Sequence, residues 1–142
     1  CASVSIDNQA MSDRQDTTPG AALLAQLRPA LLDLHKTLLD WERAAYERAH
    51  GRQSSGEMLR LLLEHPQFEW LRAISALVVR IDEELEADAS PPAEFLALVD
   101  AVRETVGRRD VLSTFGRRYE AALQDSPDAV FAHRRVMSLL KP

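Results

Sequence analysis

A chain of 142 residues suits one domain, and 46% hydrophobic with 27% charged residues is an ordinary balance for a folded globular protein, so no disulfide or metal staple is needed to hold a core. The formal net charge of −5 argues against nucleic acid as the main partner, and no apolar run approaches the length of a membrane span. The single cysteine, Cys1, excludes a disulfide within the chain, which suits a reducing, cytoplasmic setting.

Residues 1–20 are rich in Ser, Asp, Gln and Thr, end in Pro19-Gly20 and show no periodicity, so they read as a disordered tail ahead of a helical domain over residues 21–142. The chain opens on Cys, while Met11 begins a plausible start. Residues 1–10 are then either a remnant of upstream sequence or, alternatively, the tether of a lipoprotein anchored through Cys1.

From Leu23 to Gly51 the spacing predicts one long helix. Leu24, Leu27, Leu31, Leu34, Leu38, Trp41 and Ala45 alternate at intervals of three and four, the mark of one apolar seam. A second row, Ala25, Leu32, Leu39 and Tyr46, makes the face too wide for a two-stranded zipper and calls for a bundle. Pro29 kinks this helix without breaking its phase, and Gly51 closes it. Ser54 with Glu57 forms a capping box ahead of a short helix, about Gly56 to Glu64, apolar nearly all round and therefore expected to be buried or wedged.

His65-Pro66 ends that helix, and a third is expected from about Gln67 to Ala87, with its seam at Leu71, Ile74, Val78, Ile81 and Leu85 and with Trp70 and Leu77 alongside. Pro91-Pro92 is a break, after which Ser90 caps a fourth helix with Phe95, Leu98, Val99, Val102 and Val106 inside. A fifth, weakened at its start by Gly116, carries Phe115, Tyr119 and Leu123. Ser126-Pro127-Asp128 opens the last, with a seam at Val130, His133, Met137 and Leu140. Six helical segments, four longer and two short, make an all-α, single-domain antiparallel helical bundle.

No phosphate loop, CxxC, HExxH or nucleophile elbow is present, so no catalytic residue is assigned. Glu47 and His50 match the Glu-x-x-His pair of di-iron bundles. Only one such pair exists, and helix phase puts it on the solvent side with Asp33, Lys36, Asp40 and Arg43. The same phase turns His35 and Glu42 inward, where a carboxylate cannot stay unpaired without a large desolvation cost. Arg72 and Asp82 flank the seam of the third helix and His133 sits in that of the last, so His35, Glu42, Arg72, Asp82 and His133 form the candidate buried polar cluster. Such a set is either a satisfied network that fixes how helices register, or a pocket for a ligand, a metal or a haem held through His35 and His133. No metal-ligand spacing falls within any one helix, so no metal or cofactor is assigned. Arg103, Arg108, Arg109, Arg117 and Arg118, with Phe115 and Tyr119, allow a nucleic-acid reading, against pairing with Asp and Glu between helices.

The runs LLDLHKTLLDWERAAYE, EMLRLLLEHPQFEWLRAISALVVRIDE and FGRRYEAAL, across residues 31–123, resemble a small bacterial all-helical family of uncharacterised proteins. The resemblance implies a compact bacterial helical protein in the cytosol and no particular chemistry. The expected role is that of a non-enzymatic interaction or regulatory protein, homodimeric if the Leu32, Leu39 and Tyr46 row stays uncovered. The alternative is a ligand- or metal-binding bundle, or an enzyme, built on the inward polar cluster.

Overall fold

The computed structural model describes residues 20–87 and 92–141. The expectations for the tail before residue 20, for Cys1 as an anchor, and for the break at residues 89–91 with Ser90 as cap lie outside the described residues. The described residues form six α-helices and no strand: α1 (Ala21–His50), α2 (Ser55–Glu64), α3 (Arg72–Glu86), α4 (Pro92–Val102), α5 (Thr114–Asp125) and α6 (Pro127–Leu140). A 3-10 turn, Pro66–Leu71, leads into α3, and a π turn, Arg103–Gly107, continues α4. None of these helices is long and apolar enough to cross a membrane.

The seam of α1 explains its place as the spine. Leu24, Leu27, Leu31, Leu34 and Leu38 are fully buried, and α1 touches α3, α4, α5, α6 and the 3-10 turn, with α6 its most extensive partner. A straight helix drifts by about 20° per heptad, so by the third heptad Trp41 has turned to the edge of the seam and Glu42 falls in its centre. The helix passes through Pro29, which lies on its exposed side, and ends at Gly51, whose φ of 86° is favourable only without a side chain. The second row is not a continuous exposed stripe: Leu32 is 41% exposed, but Leu39 and Tyr46 pack against the core. With four helices gathered round α1, little of its apolar surface is left for a subunit contact.

Three further expectations shift. Helix α2 lies on the surface with only Met58 buried, and Leu59 and Leu63 face solvent, because a helix of ten residues meets the bundle along one side only. Leu85 is also exposed, since it lies in the last turn of α3 beyond the core. In α6 the buried row is Ala129, Ala132, Val136 and Leu140, while Val130, His133 and Met137 sit at its margins. The two alanines let the α6 backbone approach α1 closely, which a count of large apolar side chains misses. By contrast Phe95, Leu98, Val99, Val102 and Val106 are all buried as expected.

Serines start three of the helices: Ser54, Ser113 and Ser126 accept hydrogen bonds from the backbone N–H groups of Glu57, Gly116 and Ala129. Ser126 stands between α5 and α6, with Pro127 in the first turn. Ser126→Ala is expected to cost about 1 kcal/mol in urea denaturation, and Ser126→Asp to retain most of the stability.

Candidate functional site

The polar residues singled out by helix phase do not gather into one cluster. They divide among separate arrangements, each tied to a different pair of elements.

Glu42 is the only fully buried charge among the described residues. Its carboxylate accepts from the indole N–H of Trp70 at 2.8 Å and the amide of Gln67 at 3.2 Å, both on the 3-10 turn. Arg118 of α5 completes the set through Nε at 3.1 Å and Nη2 at 2.6 Å. The Arg118 guanidinium also lies 4.8 Å from the Trp41 ring centroid, and Trp41 in turn donates its indole N–H to Asp125 at 2.7 Å. One carboxylate thus joins α1, the 3-10 turn and α5, and its four hydrogen bonds leave no lone pair aimed at a cavity. Its partner is Arg118, not Arg72 or Asp82: α5 packs directly over the C-terminal half of α1, a placement no pattern within one helix reveals.

Asp82 pairs instead with Arg28 of α1, in a half-exposed contact that includes Nη2 to Oδ2 at 3.3 Å. Arg72 is exposed and donates to the carbonyl of Leu63, closing the C-terminus of α2. His35 is half-buried, and desolvation pushes its pKa below the ordinary value.

His133 belongs to another group at the α5–α6 junction. Its Nδ1 lies 2.8 Å from the hydroxyl of Tyr119, which burial keeps protonated far above the usual phenol range, so the phenol can donate to the neutral ring. Arg109 stacks on Tyr119 with its guanidinium carbon 4.4 Å from the ring centroid, and it also pairs with Glu120. Desolvation lowers the pKa of His133, the charge of Arg109 lowers it further, and Glu120 opposes both. An unfolded chain protonates these histidines near pH 6.5, the folded chain only at lower pH. Stability from keeping His35 and His133 neutral is therefore complete above the unfolded value and lost as pH falls through the depressed folded values. Melting temperature should fall between pH 7.5 and 5, and His133→Gln should flatten part of that slope.

The other motifs resolve into local ties. Glu47 accepts from the backbone N–H of Gln53 at 2.7 Å, which with Arg43 holds its pKa below the carboxylate range. His50 stacks on Tyr46 at 4.3 Å. Glu47 and Arg43 thus latch the loop after α1 through Gln53, and no group of three or more His, Cys, Asp or Glu among the described residues is placed to hold a metal. Each of the five arginines has a partner within the chain. Arg103 donates to Asp100 and to the Leu140 carbonyl at the end of α6, Arg108 pairs with Glu104, Arg109 with Glu120, Arg117 reaches the Leu112 carbonyl, and Arg118 holds Glu42.

The feature that sequence reasoning missed is on the outer side of α6. Phe131 is 66% exposed, about 140° around the helix from Val136. It stands between two open grooves. One, of about 600 Å³, runs between α1 and α6 past Asp33, Lys36, Asp40, Trp41, Asp128 and Arg135. The other, of about 400 Å³, is lined by Leu123, Pro127, Val130 and Arg134. Neither His35 nor Glu42 lines either groove. The signal was legible, since a phenylalanine opposite any apolar seam of α6 must face water. No family model, curated protein or solved structure matches the chain.

Proposed function

We propose that this chain is a non-enzymatic interaction or regulatory protein of the bacterial cytoplasm that engages its partner through the outer face of α6. The observation that carries this reading is Phe131, a large aromatic that is mostly exposed and stands between two grooves. The saturated carboxylate of Glu42 supports it as well, because that buried charge is spent on joining helices. The lone cysteine and the resemblance of residues 31–123 support the cellular setting.

A photo-crosslinking amino acid at position 131 tests the reading in the producing cell, with the same probe at exposed Ala44 as control. Discrete adducts from position 131 alone are expected. Equal or absent labelling at the two positions overturns the reading. A second reading, a small polar ligand in the α1–α6 groove, is favoured by its volume of about 600 Å³ and its mixed charges. A ligand bound there at a hundred times its Kd should add about 2.7 kcal/mol, which a thermal-shift screen detects.

A further inference from the structure

We infer that the partner seated on the α6 face is a second copy of this chain, related by a two-fold axis that passes beside Phe131; the inference rests on the interaction reading above. Two copies of one helix that meet antiparallel must present a self-complementary face, in which a residue below the axis meets one as far above it on the same lateral side. The outer face of α6 meets that condition.

At about 100° per residue, Asp128 lies about 60° to one side of Phe131 and about 4.5 Å below it, while Arg135 lies about 40° to the same side and about 6 Å above it. Both line the α1–α6 groove, which confirms that they share an edge. Pro127 and Arg134 occupy the opposite edge, on the second groove. The two-fold operation therefore places Asp128 of one copy against Arg135 of the other, and repeats the pair by symmetry. It brings the two Phe131 rings together at the axis, where aromatic side chains stack to advantage, and it lays Arg134 across the Pro127 edge of the partner.

Charge favours this occupant over an unrelated one. The chain as a whole is acidic at −5, yet α6 carries one acid, Asp128, and two arginines, Arg134 and Arg135, so a second copy meets each sign with its opposite on this face. The face is one helix of 14 residues, about 21 Å long, with the α1 groove as its rim. That is small for a permanent dimer and fits a reversible one, with Kd in the micromolar range.

The test is sedimentation velocity on the full chain from about 1 μM to 1 mM, with charge-swapped variants. The parent should shift with concentration from 15.9 kDa toward twice that mass. Asp128→Arg and Arg135→Asp should each weaken association at least tenfold, since symmetry makes every swap count twice. An equimolar mixture of the two variants should re-form a dimer, because each then supplies what the other lacks. Recovery in the mixture also shows that both variants are folded. Phe131→Asp should abolish association throughout the range. A parent that stays monomeric at 1 mM, or a dimer indifferent to all these changes, overturns the inference. If position 131 still yields discrete crosslinks to another protein, the interaction reading survives while self-association falls; if it yields none, both fall.

Discussion

Replacing Glu42 by alanine is expected to lower the melting temperature by about 10 °C, the equivalent of about 3 kcal/mol for a domain of this size. The side chain is fully buried, and four donors from three residues converge on it. Its removal strands an indole N–H, an amide and a guanidinium around a void. The Arg118 side chain is 38% exposed, so water can reach its charge, and this holds the loss toward the lower end of the range for a broken buried pair. Glu42→Gln keeps the shape but turns an amide N–H₂ toward donors, and should lose nearly as much. A change of only a degree or two in either variant would show that the carboxylate does not join α1, the 3-10 turn and α5, and would return Glu42 to the candidates for ligand binding.

Gly116→Ala should destabilise the protein by about 2–3 kcal/mol, although alanine is the better helix former by about 1 kcal/mol. An added Cβ would lie 1.9 Å from the carbonyl oxygen of Asp110 and 2.7 Å from its carbon. That carbonyl cannot move aside cheaply. It accepts from the Ser113 N–H at 3.0 Å and the Ser113 hydroxyl at 2.7 Å, and the same hydroxyl caps α5 through the Gly116 N–H at 2.9 Å. Relief of the clash unwinds the first turn of α5, the helix that carries Phe115, Arg118 and Tyr119. Urea denaturation decides the sign: equal or greater stability would mean that the turn at residues 110–113 yields. From helix propensity alone Gly116 is a weakness, whereas in the fold it is the residue that lets a backbone turn lie against the helix.

The neighbourhood of Glu42 shows where reading one chain stops. Helix phase turned Glu42 inward between the two apolar rows of α1, and desolvation required a cationic partner; both follow from residues within a single helix. The choice of Arg118 among the available arginines depends on which helix crosses α1 at that height, and no spacing within α5 contains that information. Phe131 is the converse case. Its exposure was implied by the phase of α6, but its meaning depends on the grooves that α1 and α5 form on either side of it.

By itself the sequence determined most of the helical segments, the caps at Gly51, Ser54 and Ser126, the direction in which α1 looks and the need for an inward charge to be paired, because these depend on periodicities and local hydrogen bonds within a few turns. Only the tertiary structure decided that the five inward candidates part company, that α6 presses two alanines to the core, and that the face carrying Asp128, Phe131 and Arg135 is left open between two grooves. Those outcomes rest on how closely and in what order helices pack, which is set by side-chain volumes contributed from far apart in the chain.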